Sequence, residues 1–223
     1  YQFSLTELKE AGTLYEKVQK WCDRNAKNRV VISLYGGSGS GKTTLATALQ
    51  QYFLNDGTGC YLLSGDDYPH RIPKRNDEER MRVYKETGED GLRGYLGTKK
   101  EIDFDRINEV LAAFHEGKDS ITLRHMGRED GEISPEETDF SGISVLLLEW
   151  THGGSDDLHG VDLPVFLESS PEETKERRIR RNRDENAASP FICRVVELEQ
   201  EKLEVQRKNA GLIVGKDGRV YEP

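Results

Sequence analysis

The sequence predicts an α/β fold: a three-layer α/β/α sandwich around a mostly parallel sheet, finished by a C-terminal β-hairpin. Three observations predict it. Short apolar runs alternate with longer segments of helical period, as strands and helices do when they take turns. One run, Ile143–Trp150 (ISVLLLEW), is almost continuously apolar, as a parallel strand covered on both faces requires. The chain closes with Gly211–Glu222 (GLIVGKDGRVYE), two strand-like runs about a Lys-Asp-Gly turn, which reads as a hairpin. With 223 residues, 35% of them hydrophobic and 8% aromatic, the chain can bury one core, so residues 1–223 are read as a single domain.

The elements follow in order. Residues 1–28 carry an N-terminal helix, Leu5–Lys27, with Leu5, Leu8, Tyr15, Val18 and Trp21 turned to one side to pack on the sheet. The core, residues 29–170, opens with a strand at Arg29–Tyr35. A helix with Leu45, Leu49, Tyr52 and Phe53 on one face follows, stopped where Gly57 can turn left-handed. Gly59–Tyr68 (GCYLLSGDDY) reads as a second strand and a polar turn. Asp103–His115 places Phe104, Ile107, Leu111 and Phe114 at helical spacing, and strands are expected at Asp119–His125, Ile143–Trp150 and Asp162–Ser169. Ser170-Pro171-Glu172-Glu173 combines a cap serine, a first-turn proline and a glutamate three residues after the cap, so a helix starts there. Ser189-Pro190 starts another, which leads through residues 190–223 to the hairpin.

Charge and cysteines exclude several classes of function. Against 32 basic residues stand 41 acidic ones, a net charge of -9, which argues against bulk attraction to nucleic acid or an anionic membrane. Cys22, Cys60 and Cys193 have no metal-ligand spacing and read as reduced thiols, and no apolar run approaches the roughly 18 residues of a membrane span. A cytoplasmic setting is expected.

The chemistry concentrates at Gly36-Gly37-Ser38-Gly39-Ser40-Gly41-Lys42-Thr43, which fits G-x-x-x-x-G-K-[ST] between a strand and a helix, with Thr44 in the first helical turn. Glycines let the backbone wrap polyphosphate oxygens with its N–H groups inward, and the helix adds its positive end. Lys42 is expected to bridge the β- and γ-phosphates of ATP and Thr43 to ligate Mg²⁺. No Asn-Lys-x-Asp or Leu-Ser-Gly-Gly-Gln motif occurs, which disfavours a GTPase or a transporter ATPase.

Three further stretches carry a family resemblance. Ser64–Arg71 (SGDDYPHR), Glu101–His125 (EIDFDRINEVLAAFHEGKDSITLRH) and Arg177–Asp184 (RRIRRNRD), together with the phosphate loop, resemble the uridine kinase, phosphoribulokinase and pantothenate kinase branch of the P-loop kinases. Adenylylsulfate kinases have a similar turn after their second strand. The resemblance implies a nucleoside-kinase-like fold and transfer of the γ-phosphate to a hydroxyl of a small molecule. It makes Asp66 the base, with Asp67 its competitor, and lets Glu149 hold Mg²⁺ through water. It also makes about residues 171–190 an arginine-rich lid, with Arg180 and Arg183 nearest the matching positions. Tyr68, His70, Arg71, Arg124, His125 and Arg128 are expected acceptor contacts. Uridine kinases carry Pro-x-Tyr-Asp where this chain has Thr122–Asp130 (TLRHMGRED), so an acceptor with an anionic group is expected in place of a nucleoside. Neither nucleic acid nor membrane is expected as partner, and a homo-oligomer is compatible with the sequence. The alternatives are a nucleotide-dependent regulatory ATPase and a polynucleotide-end kinase.

Overall fold

The structure is a computed structural model and describes residues 2–181 and 189–223. Helix α1 (Leu5–Asn25) starts at a reciprocal cap: Ser4 Oγ accepts from the Glu7 amide at 3.2 Å, and the Ser4 amide donates to Glu7 Oε2 at 2.7 Å. Its buried residues are Ala11, Leu14 and Val18, while Leu5, expected on the packed side, is 87% exposed. The cap places Leu5 in the first turn, beyond the edge of the sheet. Strand β1 (Val30–Gly36) is buried at all seven positions, and helix α2 (Lys42–Asn55) ends before Gly57, which has φ +77° as expected of a left-handed stop.

Strand β2 (Cys60–Ser64) runs into a single 3₁₀ turn, Gly65–Asp67. Helix α3 (Pro73–Tyr95) follows, broken at Gly88 (φ +69°), and then α4 (Phe104–His115) with Asp103 as its cap. Strands β3 (Ser120–Met126) and β4 (Ile133–Asp139) pair antiparallel with each other and stand outside the main sheet. Strands β5 (Val145–Glu149) and β6 (Leu163–Leu167) return to it. Helices α5 (Pro171–Arg181) and α6 (Pro190–Gln206) precede β7 (Leu212–Val214) and β8 (Val220–Tyr221).

Among the described residues the central sheet has the order β2-β5-β1-β6-β7-β8, parallel throughout except for β8, which forms the expected hairpin with β7. Alternate residues of the strands feed two cores. Ile32, Leu34, Leu147 and Val165 pack under α1 and α2, whereas Val31, Leu146 and Leu148 pack under α4. Tyr35, Phe166 and Ile213 join Leu203 of α6 on that second side. The three-layer sandwich is therefore observed.

Two expected helix starts are present: Ser170 and Glu173 cap each other, and Ser189 Oγ accepts from the Ile192 amide at 3.2 Å ahead of Pro190. The three cysteines are free thiols, and no described helix is long and apolar enough to cross a membrane.

Candidate active site

In a parallel sheet of this kind the strands end together, and the crevice outside their carboxyl ends is where ligands bind. Here β1 delivers the glycine loop, β2 delivers Asp66, and β5 delivers Glu149; Ser64 of β2 and Leu34 of β1 each lie beside Glu149 in register.

The loop is shaped for an anion. Gly39 and Gly41 have φ of +80° and +98°, values that side-chain-bearing residues rarely adopt, and Gly41 caps α2 without a side-chain acceptor. The first amides of α2 thus keep their hydrogen-bonding capacity for a ligand. Among the described residues the hydroxyl of Ser40 is buried without a hydrogen-bond partner, as is that of Ser169 beside the loop. Such groups are costly unless a ligand satisfies them. Lys42 is buried and its Nζ donates to the carbonyls of Gly36 and Gly37, both at 3.0 Å, which holds the ammonium across the loop mouth.

Thr43 Oγ1 donates to Glu149 Oε1 at 3.0 Å, joining the first turn of α2 to the end of β5. Among the described residues no group of three or more His, Cys, Asp or Glu could hold a metal. A hydroxyl and one carboxylate beside a phosphate loop nevertheless fit Mg²⁺, which takes one or two protein oxygens and completes its shell with water and phosphate.

Asp66 is exposed at the crevice, its amide donating to Ser64 Oγ at 3.3 Å. The turn that presents it lies against β5 so closely that a Cβ on Gly65 would stand 2.0 Å from Trp150 Cγ. Asp67 is half-buried and accepts from the Met126 amide at 3.3 Å; burial raises its carboxyl above the ordinary range, partly opposed by that amide and by His125. Asp66 thus faces the crevice, while Asp67 ties the turn to β3.

The expected acceptor residues divide. Tyr68, expected to face the acceptor, is fully buried in the core under α4, its hydroxyl pushed up to about 12 by burial and without a hydrogen-bond partner among the described residues. Arg124 is turned inward, donating to Asp103 Oδ2 at 3.1 Å and the Pro69 carbonyl at 2.7 Å. Arg71 lies 3.7 Å from Glu79 and donates to the Tyr95 hydroxyl at 3.3 Å. His70 bonds the Lys99 carbonyl at 2.9 Å, and His125 pairs with Glu136 on the hairpin. Arg128 is exposed, and its side chain makes no ion pair among the described residues. Arg183 lies outside the described residues, as does the side chain of Arg180. Of the other arginines in the segment expected to form a lid, Arg177 donates to the Gly39 carbonyl at 3.3 Å, and Arg178 to Thr174 Oγ1 at 2.5 Å.

Next to the loop, between α1, α5 and the β7–β8 hairpin, is a cavity of about 410 Å³ whose walls include Glu10, Thr44, Leu167, Arg177 and Lys216. On the other side α6 covers the loop, with Gln200 Oε1 2.7 Å from where a Cβ on Gly37 would be. Behind it is a buried charged group that sequence reading missed. Glu101 is completely buried and accepts from Asn76 Nδ2 (3.0 Å), Arg80 Nε (2.5 Å) and the Gly97 amide (2.6 Å); Arg80 reaches on to Glu199 Oε1 at 3.0 Å. Burial drives Glu101 up, but the Arg80 charge and the hydrogen bonds from Gly97 and Arg80 outweigh it and hold the carboxyl below its ordinary range. Burial keeps His152 neutral, pushing it down to about 4.

Residues 31–189 match the Phosphoribulokinase / Uridine kinase family. The chain is 95% identical over 222 residues to the bifunctional alpha-galactosidase/sucrose kinase AgaSK of Mediterraneibacter gnavus, covering 100% of this chain and 24% of that protein's length. It is 25% identical over 198 residues to the uridine kinase of Ureaplasma urealyticum serovar 10, covering 85% of this chain and 89% of the relative. The structure of phosphoribulokinase from Rhodobacter spheroides superposes with a TM-score of 0.61 at 15% identity, over 84% of this chain and 70% of the other. The phosphate loop, the acidic turn after β2 and the carboxylate ending β5 thus stand in a chain that belongs to the phosphoribulokinase/uridine kinase family.

Proposed function

We propose that the chain is an ATP- and Mg²⁺-dependent kinase that transfers the γ-phosphate to a hydroxyl of a sugar, with sucrose as the acceptor. The observation that carries the kinase reading is the meeting of Lys42, Thr43, Glu149 and Asp66 at the adjacent carboxyl ends of β1, β5 and β2. The sugar comes from the relative at 95% identity, named for a sucrose kinase activity. The engagement of the arginines supports a neutral acceptor. Of the three arginines on which an anionic acceptor was expected to rest, Arg124 and Arg71 already answer Asp103 and Glu79, and Arg128 is exposed.

Bound MgATP would supply the activated phosphoryl group and neutralise part of its charge. The chain's own residues do the rest. The loop amides and α2 hold the phosphates, and Lys42 can turn from the two loop carbonyls to the β- and γ-phosphate oxygens. Thr43 and Glu149 offer the metal its protein-side oxygens. Asp66 accepts the proton of the acceptor hydroxyl, and Arg177 and Arg178 lie by Gly39 of the loop where transferring charge would be stabilised. The cavity beside Thr44 and Arg177 is placed to take the nucleoside. The three free cysteines suit a reducing, cytoplasmic setting.

The test is acceptor-dependent ADP release by the purified chain with ATP, Mg²⁺ and a panel of sugars, nucleosides and hydroxy acids, with the product identified by mass. Sucrose phosphate formation supports the reading. ADP release that no acceptor stimulates would make the chain a nucleotide-hydrolysing regulatory protein instead.

A further inference from the structure

Glu199 of α6 is a nearly buried carboxylate with most of its hydrogen-bonding capacity unused among the described residues. Its side chain is 12% exposed, and among the described residues it accepts one hydrogen bond, from Arg80. An ionised carboxylate can accept about four. Glu101, another carboxylate on Arg80, in contrast has three donors on its two oxygens. Arg80 is thus fixed from behind, and Glu199 is fixed by Arg80.

The position of Glu199 relates it to the reaction. Its neighbour Gln200 rests on Gly37 of the phosphate loop, and the charges of Lys42 and Asp66 both act on its carboxyl. The group is therefore within electrostatic reach of the lysine that meets the phosphate and of the residue that meets the attacking hydroxyl. Arg80 supplies one positive charge to Glu101, Glu199 and, at 3.8 Å, Asp77, so the group stays net negative and the remaining lone pairs of Glu199 suit neutral O–H donors. A second anion between Glu199 and Asp66 would be repelled.

We propose that Glu199, braced by Arg80 and Glu101, is an acceptor-binding residue that takes hydrogen bonds from hydroxyls of the sugar other than the one phosphorylated. This rests on the sugar-kinase reading above. It assigns α6 a wall of the acceptor site in addition to the expected turn after β2. It also gives a physical reason for preferring a neutral polyol: a buried, braced carboxylate rewards each hydroxyl it meets and penalises an analogue lacking it.

The experiment compares wild type with Glu199→Gln on sucrose and on singly deoxygenated sucrose analogues, reading kcat and KM for acceptor and ATP, with thermal unfolding alongside. The variant is expected to lose about tenfold or more in kcat/KM for sucrose, chiefly through acceptor KM, with ATP KM moving less than about threefold. One deoxy analogue should cost wild type about tenfold and cost the variant nothing further, a non-additivity that a purely structural role does not produce. If Glu199→Gln does not fold, Glu199→Asp, which keeps the charge beside Arg80, carries the same comparison. Wild-type turnover of sucrose with unchanged acceptor KM in the variant overturns the inference and leaves the sugar-kinase reading standing. A shift confined to ATP KM also overturns it and assigns Glu199 to the nucleotide. Wild type that phosphorylates a non-sugar alcohol and no sugar overturns the reading and the inference together.

Discussion

Thr43 and Glu149 are 106 residues apart in sequence and joined by one hydrogen bond of 3.0 Å between a helix start and a strand end. If both oxygens serve the metal, Thr43→Ala and Glu149→Gln each lower kcat by about 10²-fold or more and raise the Mg²⁺ concentration for half-maximal rate. Thr43→Ser keeps the hydroxyl and should retain most activity. Rates measured across a magnesium titration decide it, and an unchanged magnesium midpoint in both variants counts against the assignment.

Lys42→Ala should abolish turnover with every acceptor while leaving the fold intact, because its bonds go to two loop carbonyls and not into a core cluster. Thermal unfolding and acceptor-dependent ADP release, measured on the same preparation, separate the two effects.

Asp66 and Asp67 should behave differently. Asp66→Asn is expected to cut kcat by about 10²-fold or more with ATP binding preserved, in the range for a positioned proton acceptor. Asp67→Ala removes the acceptor of the Met126 amide, so it should loosen the hairpin and raise acceptor KM more than it lowers kcat. A larger kcat loss at Asp67 would exchange the two assignments.

His152 gives a pH signature in stability. Its folded value of about 4 lies below the ordinary 6.5, so the unfolded chain binds the extra proton first. Stability is fully present above about pH 6.5 and is lost as the pH falls toward 4, by up to about 3 kcal/mol. Glu199, raised by burial, contributes with the opposite sign above the ordinary carboxylate range. The measured quantity is therefore the difference between wild type and His152→Asn in denaturant unfolding at pH 5 and pH 7. The difference should shrink at the lower pH.

Arg124→Ala should destabilise the fold by about 1–3 kcal/mol, since it strips a partly buried Asp103 and the Pro69 carbonyl of their donor. Arg128→Ala, at an exposed side chain, should leave stability within about 0.5 kcal/mol and sugar turnover unchanged. Loss of sucrose turnover in the Arg128 variant would restore a cationic acceptor contact.

What was legible in the sequence follows from how local each feature is. The phosphate loop and the caps at Ser170 and Ser189 are encoded within eight residues or fewer and are found where expected. Helix α3 was not anticipated because its helical character is written in charge: Arg75–Glu78, Arg82–Glu86 and Arg93–Glu89 are spaced one turn apart, while Leu92 and Tyr95 are its buried apolar residues. Proline at its first position and these spacings were the available signals. Strand β4 (ISPEETD) has no buried face and exists by pairing with β3, which no apolar alternation announces. Two of the three arginines read as acceptor contacts, Arg124 and Arg71, are answered by Asp103 and Glu79. Those pairings, like the Arg80–Glu101–Glu199 chain, are made only by the tertiary fold.

The strand order has a consequence for how the protein is made. Strand β1, which leads into the phosphate loop, pairs on one edge with β5 and on the other with β6, and both follow it by more than a hundred residues. Closure of such long loops must come before these pairings repay it, so folding is expected to be slow for a domain of this size. A nascent chain that has emerged only as far as Asp139 carries the complete nucleotide motif on a strand with two unpaired, apolar edges, the arrangement most prone to association with other chains. Until Leu167 has left the ribosome, at least one edge of β1 therefore lacks its native partner.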